Sequence, residues 1–167
     1  QDQEYQGAGG IGEELRIGLI PCQPRLSLMH ATSRTREVVP RVLMVEGDGS
    51  VARVLRYSLN RAGFDVVEAA TGREALQMLE QRALDAVILD LDLPDGLEKA
   101  VIDQLHESGQ QGESLPVWVV ISTLNYAEVT RRYGSAGSHF LAKPFDPWDL
   151  ITTLKALLSA RDTPPQE

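Results

Sequence analysis

Asp85-Ala86-Val87-Ile88-Leu89-Asp90-Leu91-Asp92-Leu93-Pro94-Asp95-Gly96 is the stretch that decides the fold. Its four apolar residues, Ala86 to Leu89, run without a polar break, as in a short strand buried on both faces. Two acids follow, Asp90 and Asp92, and a Pro-Asp-Gly turn at Pro94 to Gly96 then bends the chain away. A strand buried on both faces belongs in a parallel sheet covered by helices, so helical patterns should flank it.

They do. Upstream, Val42 to Val45 is another continuous apolar run. Ser50 is placed to cap a helix whose Val51, Val54, Leu55 and Leu59 share one face, ending near Gly63. Phe64 to Val67 supplies a second strand, and Thr71 with Glu74 forms a capping box that opens a helix carrying Ala75, Leu76 and Leu79 inward. Downstream, Leu97, Val101 and Leu105 mark a third helix, ended by the polar stretch Ser108 to Ser114. Val117 to Ile121 is a fourth strand, Tyr126 to Tyr133 a short helix, and Phe140 to Ala142 a weak fifth strand. Gly134, Ser135 and Gly137 are poor helix formers and should keep that fourth helix short. Asp146 and Pro147 start a last helix with Leu150, Ile151, Leu154, Leu157 and Leu158 as its apolar stripe. The expectation is α/β, five βα units wound on both faces of a five-stranded parallel sheet. Trp118 and Trp148 are expected to be packing residues.

The chain has 167 residues, 43% of them apolar, which suits one domain with tails. That domain is expected over residues 41–160, with a flexible extension at 1–40 and a tail or linker at 161–167. Leu15 to Ile20, the apolar part of the extension, is alternatively a strand or docking segment that packs on the domain or a partner. The net charge of -8 argues against a nucleic-acid surface spread over the chain. Cys22 is alone, so no disulfide framework or cysteine metal site is expected, in keeping with a cytoplasmic location. No apolar run is long enough to span a membrane.

In a parallel βα sheet, functional groups gather beyond the carboxyl ends of the strands. Applied strand by strand, this rule collects Glu46 and Asp48, Asp90 and Asp92, Ser122 and Thr123, and Lys143 on one edge. Acids, hydroxyls and a lysine would all meet there.

These residues resemble those of the two-component receiver domain, with its flavodoxin-like fold, over roughly 120 residues. The resemblance rests on Asp85 to Gly96, with Asp90 four residues before the proline, and on Lys143-Pro144-Phe145, Ser122 and Phe140. It implies that Asp90 is the phosphoryl acceptor, with Lys143 and Ser122 assisting, and that Ser122 and Phe140 form a conformational switch. Thr123 is a rival to Ser122, because the spacing here departs by one residue on each side. The resemblance further implies a magnesium ion held by Glu46, Asp90 and Asp92, with Asp48 as a further candidate, and a cis-proline at Pro144. Its partners would be a sensor histidine kinase or phosphotransfer protein, an effector domain or protein, and a second copy of the chain, with no membrane or direct nucleic-acid role.

One departure matters. The family's adjacent acids after the first strand read Glu46-Gly47 here, so a metal ligand is missing. Magnesium should bind weakly, and Gly47→Asp should strengthen it. The outcome is either phosphorylation at Asp90 with reduced efficiency or a pseudo-receiver that signals through binding. A rival from another class is a haloacid-dehalogenase-type phosphatase, because Leu89-Asp90-Leu91-Asp92 resembles that family's nucleophile strand too. That family places further acids on a strand after the lysine, whereas only Asp146 and Asp149 follow here.

Overall fold

The structure is a computed structural model that describes residues 39–162 apart from 82, 111–114 and 135–138. The extension before residue 39 with its segment 15–20, Cys22, Ser135, Gly137 and the tail after residue 162 lie outside the described residues. The elements are β1 (Arg41–Val45), α1 (Gly49–Arg61), β2 (Asp65–Ala69), α2 (Gly72–Gln81), β3 (Ala86–Asp90), α3 (Glu98–Gln110), β4 (Val117–Ser122), α4 (Tyr126–Tyr133), β5 (His139–Ala142) and α5 (Pro147–Arg161). The strands form one parallel sheet in the order β2-β1-β3-β4-β5. The five βα units are those expected from the sequence.

Strand alternation divides the core into two layers. Leu43, Val45, Val87, Leu89, Trp118 and Val120 pack towards Ala75 of α2, Val101 and Leu105 of α3 and Val129 of α4. Val42, Met44, Ala86, Ile88, Val119 and Ile121 pack towards Leu55 and Leu59 of α1 and Leu150, Leu154 and Leu158 of α5. With helices on both sides, β1 and β3 have nowhere to place polar side chains before their carboxyl ends. That is why they read as unbroken apolar runs.

Four local expectations are corrected. The cap of α1 is Asp48 rather than Ser50, because its carboxylate accepts from the Ser50 and Val51 amides at 2.7 and 3.2 Å. Val54 is 55% exposed, one step around the helix from buried Leu55. Trp148 stands 67% exposed on the first turn of α5, whereas Trp118 is buried as expected. Phe64 precedes β2 instead of opening it. Gly63, in the left-handed region at φ 95°, ends α1 in a Schellman motif, with the Gly63 and Phe64 amides donating to Asn60 and Leu59 carbonyls. That places Phe64 in the core beside Leu59.

The Thr71–Glu74 box is present, with the Glu74 amide donating to Thr71 Oγ1 and the Glu74 carboxylate accepting from Ala70. Asp146 caps α5 by accepting from the Trp148 amide, with Pro147 at the first position. The third helix runs through Ser108 to Gln110 before the undescribed residues begin. The peptide bond before Pro144 is cis.

Candidate functional site

Strand order reverses between β1 and β3, and the site lies at their carboxyl ends. Asp90 ends β3 and Glu46 follows β1; both are almost fully buried, at 2% and 3% exposure. Lys143 follows β5 and reaches both acids. Its Nζ donates to Asp90 Oδ2 at 2.7 Å and to Glu46 Oε2 at 3.3 Å. The β4–β5 pairing extends one step further to hold it there, since the Lys143 amide donates to the Ser122 carbonyl at 2.8 Å.

Two carboxylates thus face one ammonium. Burial pushes the Glu46 carboxyl above the usual glutamate value, the hydrogen bond from the Asp48 amide opposes that, and the charge of Asp90 adds to it. For Lys143 burial acts downward, but the hydrogen bond to Asp90 and the charges of Asp90 and Glu46 outweigh it and hold the ammonium above its ordinary value. Asp90 Oδ1 is buried and has no hydrogen-bond partner among the described residues. A buried lone oxygen of this kind is costly to the fold unless something completes it.

Ser122, at the end of β4, is buried, and its Oγ accepts from the Leu124 amide at 3.1 Å. Thr123 is exposed, and together with Val51, Val54, Leu55, Phe145 and Lys143 it lines a groove of about 680 Å³ between α1 and the start of α5. Phe140 is half-buried on β5, and the exposed ring of Tyr126 lies tilted against it, centroids 5.8 Å apart. The structure therefore brings Glu46, Asp90, Lys143 and Ser122 together at one edge, with Thr123 exposed on the groove that Lys143 also lines.

The residues present do not fit the divalent ion that the resemblance implies. Asp90 Oδ1 is a suitable ligand, but it is alone. Glu46 is committed to Lys143 and to the Asp48 amide, Asp48 to the α1 cap, and Asp92 is exposed. Among the described residues no three His, Cys, Asp or Glu side chains converge to hold a metal.

Sequence reasoning missed the packing on the other side of Glu46. Asp95, read as a turn residue, accepts from the Gly72 and Arg73 amides at 3.0 Å and so caps α2 from a different element. These bonds outweigh desolvation and hold its carboxyl below the usual aspartate value. Glu98 is buried and accepts from the Leu93 amide at 2.8 Å. A cap drawn from so far along the chain leaves no local pattern; the small residue Gly72 just after Thr71 was the available hint. The acids after the lysine, Asp146 and Asp149, are the cap and a first-turn residue of α5 and lie on no further strand, so the phosphatase reading finds no support.

A family model described as the response regulator receiver domain matches residues 42–155. The response regulator MprA of Mycolicibacterium vanbaalenii is 36% identical over 126 residues, which is 74% of this chain and 52% of that protein. The alkaline phosphatase synthesis transcriptional regulatory protein PhoP of Bacillus subtilis is 31% identical over 120 residues, covering 71% and 48%. The chain spans about half the length of the curated relatives it matches. Among solved structures, a sensor protein from Polaromonas sp. JS666 superposes with a TM-score of 0.63 at 31% identity, covering 73% of this chain and 98% of that one. The receiver domain of a sensor histidine kinase from Pseudomonas aeruginosa PAO1, with magnesium coordinated in its active site cleft, shares the fold at a TM-score of 0.62 and 22% identity over 72% of this chain and 98% of its own.

Proposed function

The chain belongs to the response regulator receiver domain family, and from there we propose that Asp90 is its phosphoryl acceptor. The observation that carries this is the asymmetry of one carboxylate: Oδ2 is held by Lys143 while Oδ1 is buried and, among the described residues, without a hydrogen-bond partner. An oriented carboxylate with one free oxygen is a nucleophile in waiting.

Oδ1 attacks the phosphorus of a phosphohistidine or a small acyl phosphate. A phosphorus–oxygen bond forms to Asp90 as the bond to the donor nitrogen or oxygen breaks, and the donor leaves with its electron pair. The Lys143 ammonium neutralises charge on the transferring oxygens, and the Ser122 hydroxyl turns from Leu124 to donate to one of them. That movement draws on the loop after β4 and shifts the Phe140–Tyr126 pair, carrying the signal to the outer face of β5 and α4. Magnesium binds weakly, because Gly47 contributes no carboxylate.

The donor is a sensor histidine kinase or phosphotransfer protein, docking a helix into the apolar groove beside Lys143, and the domain acts in the cytoplasm. The output is an effector domain or protein, or a second copy of the chain. Among the described residues no helix is long and apolar enough to cross a membrane. The incomplete acid set favours a second reading, a pseudo-receiver that signals through binding alone.

Incubation with acetyl phosphate or beryllofluoride, followed by mass spectrometry, decides between them. The label is expected on Asp90 and absent from Asp90→Asn. A label elsewhere, or unchanged labelling of the variant, overturns the acceptor assignment; no label at all selects the pseudo-receiver.

A further inference from the structure

The exposed Trp148 has no part in the acceptor centre, and it is not isolated. Among the described residues the exposed large apolar side chains are Val39, Val54, Tyr57, Leu115, Tyr126 and Trp148. Val39 and Leu115 adjoin undescribed residues, and Tyr126 lies against Phe140. The other three gather on one face. Val54 and Tyr57 share a stripe of α1 with Arg61, at i, i+3 and i+7, and Trp148 opens a stripe of α5 with Thr152 and Lys155, at i, i+4 and i+7.

The two helices pack on the same core layer, and two grooves mark the seam between them. Pro147 borders the groove beside Lys143, together with Val54. It also borders a second groove of about 390 Å³, lined by Tyr57, Arg61, Asp146 and Trp148. Tyr57 and Trp148 are 63% and 67% exposed, so most of each ring meets water. Apolar side chains scattered singly over a surface need no explanation, but a contiguous set built on tyrosine, tryptophan and arginine has the make-up of a protein interface.

The charges on this face say what covers it. Asp146, the cap of α5, marks the end nearest the acceptor centre. Arg61 closes α1 at the other end, and Lys155 lies nine residues beyond Asp146, about 13 Å along a helix. The Arg61 guanidinium lies over the Tyr57 ring, 5.8 Å from its centroid. Among the described residues neither Arg61 nor Lys155 enters an ion pair. The face is therefore acidic at one end, aromatic in the middle and basic at the other, and such a surface complements itself when turned end for end. A two-fold axis normal to it lays each copy's Arg61 and Lys155 towards the other's Asp146 and brings the two aromatic sets together. A two-fold axis along the helices would set like charge against like.

We infer that the α1–α5 face pairs two copies of this chain in antiparallel register, anchored by Tyr57 and Trp148 and oriented by Asp146, Arg61 and Lys155. Two aromatic anchors per copy make a small interface, so the pair is weak, with a Kd on the order of 100 µM. Because Pro147 borders both grooves, the partner copy stands at the rim of the groove assigned to the phosphodonor.

Sedimentation equilibrium of the full chain, with no phosphodonor and no magnesium, tests this over about 10 µM to about 1 mM. The unaltered chain is expected to pair within that range, and a monomer throughout overturns the inference. Trp148→Ser and Tyr57→Ser, both at exposed positions, are each expected to raise Kd about tenfold or more. An unchanged Kd in either folded variant overturns the choice of face, and the second variant keeps the test open if the first fails to fold. Arg61→Glu separates the two arrangements. Antiparallel copies then meet acid to acid, and Kd is expected to rise about threefold or more. Copies in parallel would gain an opposite charge for Lys155 and pair more tightly, so an unchanged or lower Kd overturns the register. Asp90 takes no part in the measurement: failure of its labelling leaves the pairing intact, and a monomeric chain leaves the acceptor reading intact.

Discussion

The two halves of one sheet edge have been built to different standards. On the side of β3, β4 and β5, Asp90, Ser122 and Lys143 meet at the carboxyl ends of the strands, joined by a 2.7 Å ion pair and a strand pairing carried past Ala142. On the side of β1 and α2, Gly47 brings no carboxylate, and the nearby Asp95 is spent on capping α2. The difference teaches that the proposed phosphoryl-acceptor site is two separable devices. One holds the nucleophile and its counter-charge; the other recruits a cation from solution.

The contrast breaks most visibly at Lys143. Lys143→Met is expected to slow labelling of Asp90 by acetyl phosphate about 100-fold or more, whereas Asp92→Asn, on an exposed acid, should change it less than about threefold. Equal effects in labelling time courses would show that the halves are not separable. The same lysine should dominate stability. Lys143→Met leaves two buried carboxylates without their cation and is expected to cost about 2 kcal/mol, below the 3–5 kcal/mol of a fully buried pair because Lys143 is 21% exposed. Urea unfolding measures this, and a midpoint unmoved from the unaltered chain is the result that sinks it.

A smaller effect sharpens the other half. The folded pKa of Asp95 is depressed below 3.8, so its stabilisation is present above the unfolded value and is lost as pH falls through the folded one. Asp95→Ala should therefore lower Tm at neutral pH and converge with the unaltered chain in strong acid. A constant gap down to that acid limit would mean the cap is not electrostatic. Hydrogen exchange at the Gly72 and Arg73 amides should report the same loss locally. Least of all in stability, Val54→Asp in the groove should shift ΔG by no more than about 0.5 kcal/mol and yet slow phosphotransfer from a phosphohistidine donor. Unchanged transfer kinetics would move the docking surface elsewhere.

What the sequence revealed follows the same division. Strands buried on both faces announce themselves as apolar runs, and the rule about carboxyl ends then collects Glu46, Asp90, Ser122 and Lys143 without a structure, along with Asp48, which caps α1, and the exposed Asp92 and Thr123. Helix caps were half legible: Thr71, Asp146 and Pro147 are local signals, while Asp48 and Ser50 compete two residues apart and only geometry decides. Val54 and Trp148 were misplaced because period alone does not say where an apolar stripe ends. The contacts of Asp95 were illegible in principle, since its partners arrive from more than twenty positions away.

The layer shared by α1 and α5 has a consequence in time. Leu150 lies 95 positions after Leu55, so a ribosome adding roughly 5–20 residues per second leaves the apolar face of α1 without its partner for on the order of 5–20 s. Until Leu150, Leu154 and Leu158 emerge, the nascent chain carries a sticky helix beside an unfinished sheet. During synthesis that apolar face stays open to association until the last helix closes the core.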